Sequence, residues 1–169
     1  MARKETANQT TARRMSQRPS QADYEALSEF RYQIRCFLEF SQNAAHAVGL
    51  TPRQHQALLT IKGFPVGHAV TVGDLAERLR IRHHSAVELV DRLSEAGLVR
   101  RIPDANDQRR VLLSLTDLAD GYLAELSAVH LDELSRIKPI LNRILARISP
   151  AVSKWVGYNT ALPARLSRP

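Results

Sequence analysis

The chain has 169 residues, of which 44% are hydrophobic, with a formal net charge of +7 at pH 7 and a pI near 10.2. This length suits about one domain, and the hydrophobic fraction excludes a globally disordered chain. The single cysteine excludes an internal disulfide and a cysteine-based zinc module within one chain, and a chain this basic is expected to bind a polyanion.

The first 19 residues are polar and basic and have no apolar periodicity. We predict a disordered basic arm at 1–19, with an ordinary frayed terminus as the alternative. No apolar run follows the basic residues, as a secretory signal would require, and no stretch approaches the roughly 18 apolar residues of a membrane span. The sequence therefore predicts a soluble, cytoplasmic protein with no membrane partner.

A long amphipathic helix is predicted over residues 20–49, because apolar residues recur there at three- and four-residue spacing from Leu27 to Val48. Ser20 is suited to begin this helix and Gly49 to end it. A helix of about 27 residues extends roughly 40 Å. A helix this long is hard to cover with a compact domain of this size, so its apolar face is expected to need a partner.

Two capping boxes predict helix starts in the middle of the chain. Residues 51–54 (Thr-Pro-Arg-Gln) combine a capping box with proline at the first helical position, and the helix that they start should end at Gly63. Thr71 and Asp74 form a second box with a shorter acidic arm. The second box starts a short helix.

A further helix and a hairpin are predicted after a break at residues 80–82. The helix has one apolar face, formed by Ala86, Leu89, Val90 and Leu93. Gly97 ends it. Two β-like runs, 98–102 and 110–115, are separated by a charged turn and predict a β-hairpin.

The last predicted helix begins after its cap, Thr116. Its large apolar residues form a stripe that runs from Leu118 through Tyr122, Leu126 and Val129 to Ile148. Pro139 is expected to kink it, and residues 151–162 are expected to add a short helix. The predicted fold is mostly α with a small β-hairpin wing (α+β), in which long N- and C-terminal helices flank a winged helix-turn-helix.

The second short helix has a polar face that suits the reading of DNA. In a winged helix-turn-helix this helix enters the major groove, while the first helix crosses the backbone. Its outward residues mix donors with an acceptor, as reading of base edges requires; they are Arg82, His83, Ser85, Glu88 and Arg92. An ordinary solvated helix face is the alternative.

Five short motifs in order resemble the MarR-type transcriptional regulators over roughly residues 30–126. They are Leu50-Thr51-Pro52-x-Gln54, Leu75-Ala76-x-x-Leu79, Leu89-Val90-Asp91-Arg92-Leu93 with Gly97-Leu98-Val99, the Asp104-x-x-Asp107-x-Arg109-Arg110 wing, and Leu115-Thr116. The resemblance implies a homodimer. In it, 20–49 and 117–169 form the dimerisation helices and 50–116 form the DNA-binding domain.

The wing contains an arginine that the resemblance assigns to the DNA minor groove, Arg109. Asp107 lies two residues before it, close enough in a tight turn for a bidentate pair, and a held arginine loses less entropy on entering the groove. An isolated surface salt bridge is the alternative. Arg101 and Arg110 flank the wing and are expected to contact phosphate.

Four residues depart from the family pattern. Arg80 stands in the helix-turn-helix turn where glycine is common. Arg82 replaces a capping serine or aspartate, so the helix after it is expected either to start less sharply or to be capped by Ser85. His83 and His84 place two titratable groups near the DNA. Their protonation would strengthen DNA binding as pH falls toward 6.

The resemblance also implies regulation by a small aromatic or phenolic anion. The candidate lining residues come from the first two helices and are Phe37, Phe40, His55 and Leu59, with ordinary interhelix packing as the alternative. Cys36 lies where one branch of the family has a peroxide-sensing cysteine; a small packing residue is the alternative reading.

The sequence has no signature of a metal site, a cofactor or a catalytic set. The six histidines show no metal-ligand spacing, and no nucleophile–base arrangement or phosphate-binding glycine loop is present. We therefore predict that the protein is not an enzyme and that it binds neither a cofactor nor a metal. The predicted function is a sequence-specific DNA-binding transcriptional regulator, a ligand-responsive repressor that binds a pseudo-palindromic operator as a homodimer. A nonspecific architectural DNA binder and a winged helix that docks an acidic protein remain alternatives.

Overall fold

The computed structural model describes residues 19–104, 107 and 110–148. Nearly all of the predicted basic arm, the predicted helix at 151–162 and Arg109 lie outside the described residues. Within them, five helices and one hairpin follow in the order α1 (Gln21–Ala47), α2 (Pro52–Lys62), α3 (Val72–Leu79), α4 (His83–Glu95), β1 (Val99–Pro103), β2 (Val111–Leu115) and α5 (Asp117–Ala146). The predicted mostly helical fold with one hairpin is confirmed.

The predicted capping boxes form as the sequence indicates. Gln54 N donates to Thr51 Oγ1 over 3.2 Å, and Thr51 N donates back to Gln54 Oε1 over 2.9 Å. Thr71 makes the same reciprocal pair with Asp74. Because these side chains bind backbone N–H groups that have no partner inside the helix, they fix where α2 and α3 begin.

The turn between α3 and α4 contains a residue in the left-handed region. Arg80 has φ 54° and ψ 42°, which costs an L-residue with a side chain roughly 1 kcal/mol or more. Its backbone N donates to Glu77 O over 3.2 Å, and Ile81 N donates to Ala76 O over 3.0 Å. The turn that usually contains glycine therefore forms here around an arginine.

The hairpin is attached to the helices at both ends. Strands β1 and β2 are antiparallel with Val99 opposite Leu115. Leu98 N donates to Leu93 O over 2.9 Å across the end of α4, and Leu113 N donates to Val70 O over 2.8 Å. These bonds fix the hairpin beside α4 and beside the segment that enters α3.

The described chain divides into two compact units, residues 35–137 and a smaller unit made of residues up to 34 and from 138 onward. The larger unit has an aliphatic core, whose largest fully buried side chains are Leu58, Leu75, Leu89, Val90, Leu93 and Leu126. In the smaller unit Arg147 Nη2 donates to Glu25 Oε2 over 3.0 Å.

The predicted apolar stripe of α5 is only partly correct. Leu126 is buried, but the predicted stripe residues Leu118 and Val129 are 52% and 44% exposed. The buried positions are Ala119, Leu123, Leu126, His130, Ile137 and Ile144, of which Leu126, Ile137 and Ile144 belong to the predicted stripe. The prediction was based on the large aliphatic residues. The side of α5 that packs against the core of this chain also includes an alanine and a histidine. The helix continues through Pro139.

Replacing Arg80 by glycine should raise the free energy of unfolding by about 0.5–1 kcal/mol, because it removes the Cβ that is strained at positive φ while the gain is reduced by glycine's freedom in the unfolded chain. Arg80→Ala keeps the Cβ and should give no such gain. Urea denaturation of both variants separates the strain from the loss of charge. Equal gains from both would contradict the assignment.

The Asp74 cap should make stability pH-dependent. Burial opposes ionisation of this carboxyl, but hydrogen bonds from Thr71 and the neighbouring His68 outweigh it, so the pKa of Asp74 lies below its ordinary value. The unfolded chain therefore binds the proton more tightly, and the stabilisation present above about pH 4 is lost as pH falls through the lower folded pKa. His68 Nε2 lies 3.5 Å from Asp74 Oδ2.

Asp74→Asn should accordingly cost about 1 kcal/mol at pH 7 and much less near pH 3, where the native carboxyl is also uncharged. Urea denaturation at the two pH values measures this. Glu125→Gln, at an exposed position on α5, is the control. A loss that is the same at both pH values contradicts the role of the charge.

Candidate nucleic-acid interface and cavity

Helix α4 separates into a buried aliphatic face and an exposed polar face. Ala86, Leu89, Val90 and Leu93 are at most 2% exposed, and they recur at the spacing that places them on one side of a helix. The predicted interface residues Arg82, His83, His84, Glu88 and Arg92 are exposed, and Ser85 is half-buried. Within the described unit, the fold presents these predicted side chains together on the outside of α4.

The N-terminus of α4 starts without a side-chain cap in the described part of the chain. Arg82 occupies the N-cap with φ −69° and ψ 148° and makes no capping hydrogen bond through its side chain. The substitute cap by Ser85 is not formed. The first backbone N–H groups of this helix are therefore available to an external acceptor, and a helix N-terminus favours an anion there.

Carboxylates bind the two arginines that flank the wing. Arg101 Nη2 donates to Asp91 Oδ1, which links β1 to α4. Arg110 Nη1 lies 3.6 Å from Asp104 Oδ2, and Asp104 is 9% exposed. Sequence reasoning assigned both arginines to phosphate but missed these acidic partners, because no short spacing rule joins Asp91 to Arg101.

The base of the wing turn is closed by backbone hydrogen bonds. Asp104 N donates to Arg110 O over 3.1 Å, and Arg110 N donates to Asp107 O over 2.9 Å. Asp107 is exposed. The predicted Asp107–Arg109 pair stays a prediction, since Arg109 lies outside the described residues.

A cavity of about 460 Å³ lies between α1, α2 and α5 within the larger unit. Of the predicted ligand-binding residues, Phe37, His55 and Leu59 line it, while Phe40 packs its ring against His130 at 5.5 Å between centroids. The remaining lining residues are Leu38, Ser41, Gln42, Pro52, Gln56, Ser127, His130, Leu131 and Leu134. The volume suits a small organic molecule.

Two histidines from different helices meet in the cavity wall. The rings of His55 and His130 lie 4.9 Å apart. His130 Nδ1 is 2.6 Å from Leu126 O and its Nε2 is 2.8 Å from Ser41 Oγ. Burial lowers the pKa of His55, and the neighbouring His130 lowers it further. Sequence reasoning missed His130 as the partner of His55, since the two residues are far apart in the chain.

Two other predictions about single residues concern a metal and a thiol. No cluster of three or more histidine, cysteine or acidic side chains that could bind a metal is found among the described residues. Cys36 is half-buried on α1, and both readings of its role stay predictions.

No helix in the described ranges is long and apolar enough to cross a membrane.

These elements define a winged helix-turn-helix protein. They are the short helix α3, the three-residue turn after it, helix α4 with its polar outer face, and the antiparallel hairpin. A sequence model of the MarR family matches residues 48–110, which contain these elements up to the wing. Over this segment, which is less than half of the chain, the sequence is similar to the MarR family.

Two similar proteins are described as transcriptional regulators. YcgE of Bacillus subtilis, an uncharacterised HTH-type transcriptional regulator, is 36% identical over 103 residues, which cover 59% of this chain and 64% of YcgE. MdtR of Bacillus subtilis, an HTH-type transcriptional repressor, is 31% identical over 80 residues, which cover 47% of this chain and 50% of MdtR. Each match thus spans less than two thirds of the relative's length.

A solved structure of a MepR mutant from S. aureus bound to an oligodeoxyribonucleotide aligns with a TM-score of 0.58 and 18% identity, covering 72% of this chain and 96% of the MepR chain. At this identity the likeness supports the fold.

Proposed function

We propose that the protein is a DNA-binding transcriptional regulator that reads a specific operator with α4 and the wing. The observation that carries this proposal is the polar outer face of α4, where Arg82, Glu88 and Arg92 are exposed beside the arginines of the hairpin. MepR is bound to an oligodeoxyribonucleotide in its structure, and the relatives YcgE and MdtR are transcriptional regulators. As a regulator of genes it would act in the cytoplasm and would not be an enzyme.

In this proposal the side chains of α4 contact base edges in the major groove. Arg82 and Arg92 can donate two hydrogen bonds each to guanine, and His83, His84 and Ser85 add donors or phosphate contacts. Glu88 is the acceptor of the set and would accept from a cytosine amine or orient an arginine. Such a mixed face gives a different energy for each base pair, which is what sequence specificity requires.

The flanking arginines position the protein on the backbone. Arg101 and Arg110 would contact phosphate, with Asp91 and Asp104 as the positioning residues that hold them before DNA arrives. Contacts of this kind fix register and carry no sequence information by themselves. Arg109, with Asp107 to orient it, would enter the minor groove.

A homodimer is part of the proposal, because α1 and α5 carry large apolar side chains that the described chain leaves exposed. They are Tyr24, Leu27, Ile34 and Leu38 on α1, and Leu118, Val129, Leu131, Leu134 and Leu145 on α5, each at least 40% exposed. Exposed apolar surface of this extent marks an interaction site. A second copy would bring two α4 helices to a pseudo-palindrome, with half-sites about one helical turn apart.

The cavity between α1, α2 and α5 is the proposed effector site. It is lined by Phe37, His55 and Leu59, as expected from the resemblance to the family, and an aromatic or phenolic molecule is the ligand class that this resemblance implies. A ligand that binds better to one arrangement of the protein would shift DNA affinity by the difference in its own two affinities.

The experiment that tests this function is selection of bound duplexes from a random pool, followed by fluorescence anisotropy on the selected duplex and on a shuffled duplex of the same composition. The proposal expects a specific duplex that binds at least about a thousandfold more tightly. Equal affinity for both would favour the architectural DNA binder, and absence of binding to any duplex at moderate salt would favour an acidic protein partner.

Arg109→Ala should weaken binding to the selected duplex by about 5- to 150-fold, which corresponds to about 1–3 kcal/mol. The reason is the loss of a charged contact in a narrow, electronegative groove. Arg53→Ala removes an equal charge from an exposed position on α2 and is the control. If the two variants bind alike in the anisotropy assay, Arg109 has no special role.

Val129→Asp should destabilise the dimer by about 2 kcal/mol or more, roughly a 30-fold rise in the dissociation constant, because a carboxylate would be buried against the second copy. Sedimentation equilibrium measures this. Val66→Asp, in the fully exposed loop after α2, should leave association unchanged. A wild-type protein that sediments as a monomer at all concentrations would exclude the proposed dimer.

A further inference from the structure

The wall of the cavity contains a buried imidazole that lacks a hydrogen-bond partner in the described part of the chain. The His55 side chain is 4% exposed and lines the cavity, and no described residue hydrogen-bonds to its ring. The ring nitrogens of His55 are not among the fully buried unpaired atoms of the described residues, so they remain accessible from the cavity. The free ring positions of His55 are therefore available to a molecule in the cavity.

The neighbouring His130, in contrast, uses both ring nitrogens. Leu126 O can only accept, so Nδ1 of His130 must carry the hydrogen and donate to it over 2.6 Å. In the neutral ring Nε2 then accepts from Ser41 Oγ over 2.8 Å. This arrangement fixes the tautomer.

The two rings oppose each other's charge. They lie 4.9 Å apart, and the pKa of His55 lies below its ordinary value because of burial and because of His130. These two are the titratable groups in the described cavity lining, since α1 contributes no ionisable lining residue. Farther along α5, Arg136 is paired with Glu133. Burial and the neighbouring ring both disfavour a positive charge on His55.

An anion in the cavity would reverse this balance. A carboxylate or phenolate can accept a hydrogen bond from His55, and its negative charge favours the protonated imidazole. A neutral amide or alcohol of the same shape has no such charge and would not favour protonation of His55. The apolar lining residues Leu59, Leu131 and Leu134 suit a hydrophobic body attached to such an acid.

We propose that this cavity binds the anion of a weak organic acid together with a proton, which His55 takes up as the ligand enters. The inference rests on the proposed effector site and defines how that site recognises charge. Binding then strengthens as pH falls from 8 to 6, by at most about tenfold per pH unit for one proton. A proton leaves with the ligand when it dissociates.

Isothermal titration calorimetry with 2-naphthoate tests this directly on the full chain without DNA. Titration at pH 7 in phosphate and in Tris, whose ionisation enthalpies differ, gives the number of protons bound. We expect an uptake between about 0.3 and 1 proton and a dissociation constant that falls about 2- to 10-fold per pH unit from pH 8 to 6. The ligand's carboxyl is ionised throughout this range, so the dependence belongs to the protein. 2-Naphthamide should bind more weakly and without proton uptake.

Two histidine variants locate the proton. His55→Gln should abolish the uptake and flatten the pH dependence, while His46→Gln, at an exposed position on α1, should leave both unchanged. Circular dichroism checks that each variant is folded. If His55→Gln is unfolded, the wild-type proton count and the comparison with 2-naphthamide still decide the matter.

Three results would overturn the proposal: no binding of 2-naphthoate at millimolar concentration, acid and amide binding alike, or binding without proton uptake. None of these depends on DNA. A protein that takes up the proton but fails to bind a specific duplex would retain this inference and lose the proposed function.

Discussion

The burial of one aliphatic face of α4 determines where every group of the candidate interface lies. Leu89, Val90 and Leu93 are almost fully inaccessible, and burying each such side chain is worth about 1.5–3 kcal/mol. Together they outweigh the roughly 1 kcal/mol of strain at Arg80, so the turn accepts an arginine in the left-handed region. Because α-helical side chains repeat every 3.6 residues, this buried seam necessarily turns Glu88 and Arg92 outward.

The carboxylate–arginine pairs of the hairpin have a different physical meaning from the aliphatic seam. The Asp91–Arg101 side chains are about half exposed, and pairs of this kind contribute at most about 1 kcal/mol to stability. This pair therefore affects the orientation of Arg101 more than it affects folding. An arginine held weakly in place can exchange its carboxylate for a phosphate at small cost, which suits a surface that must bind and release a polyanion.

Local signals in the sequence predict most of this fold, and long-range contacts account for what they miss. Capping boxes and glycine stops act within one helical turn, so the starts of α2 and α3 follow from residues 51–54 and from Thr71 with Asp74. The burial of α5 does not follow from such signals. The helix has two adjacent apolar lines, and only packing of the whole chain selects the one with Ala119 and His130.

The same limit applies to the candidate site. The outer face of α4 could be predicted, because the spacing of its buried residues determines which residues point outward. The Asp91–Arg101 contact and the His55–His130 pair could not, because each joins two different secondary-structure elements and no sequence motif links them. Arg109 is predicted from its motif alone.

Helix α2 carries both the cavity wall and part of the core beneath the interface. His55 and Leu59 line the cavity, while Ala57, Leu58 and Ile61 are buried in the cluster that also includes Leu75 and Leu89. A close-packed interior transmits small displacements instead of absorbing them. Any shift of α2 that accompanies ligand binding must therefore act on α3 and α4, and its effect on DNA affinity cannot exceed the ligand's preference for one position of α2 over the other. If His55 gains a proton in only one position of α2, the ligand and the proton favour the same position and their free energies add. The coupling between ligand binding and DNA affinity is then strongest at a pH where the imidazole is neutral without the ligand and charged with it.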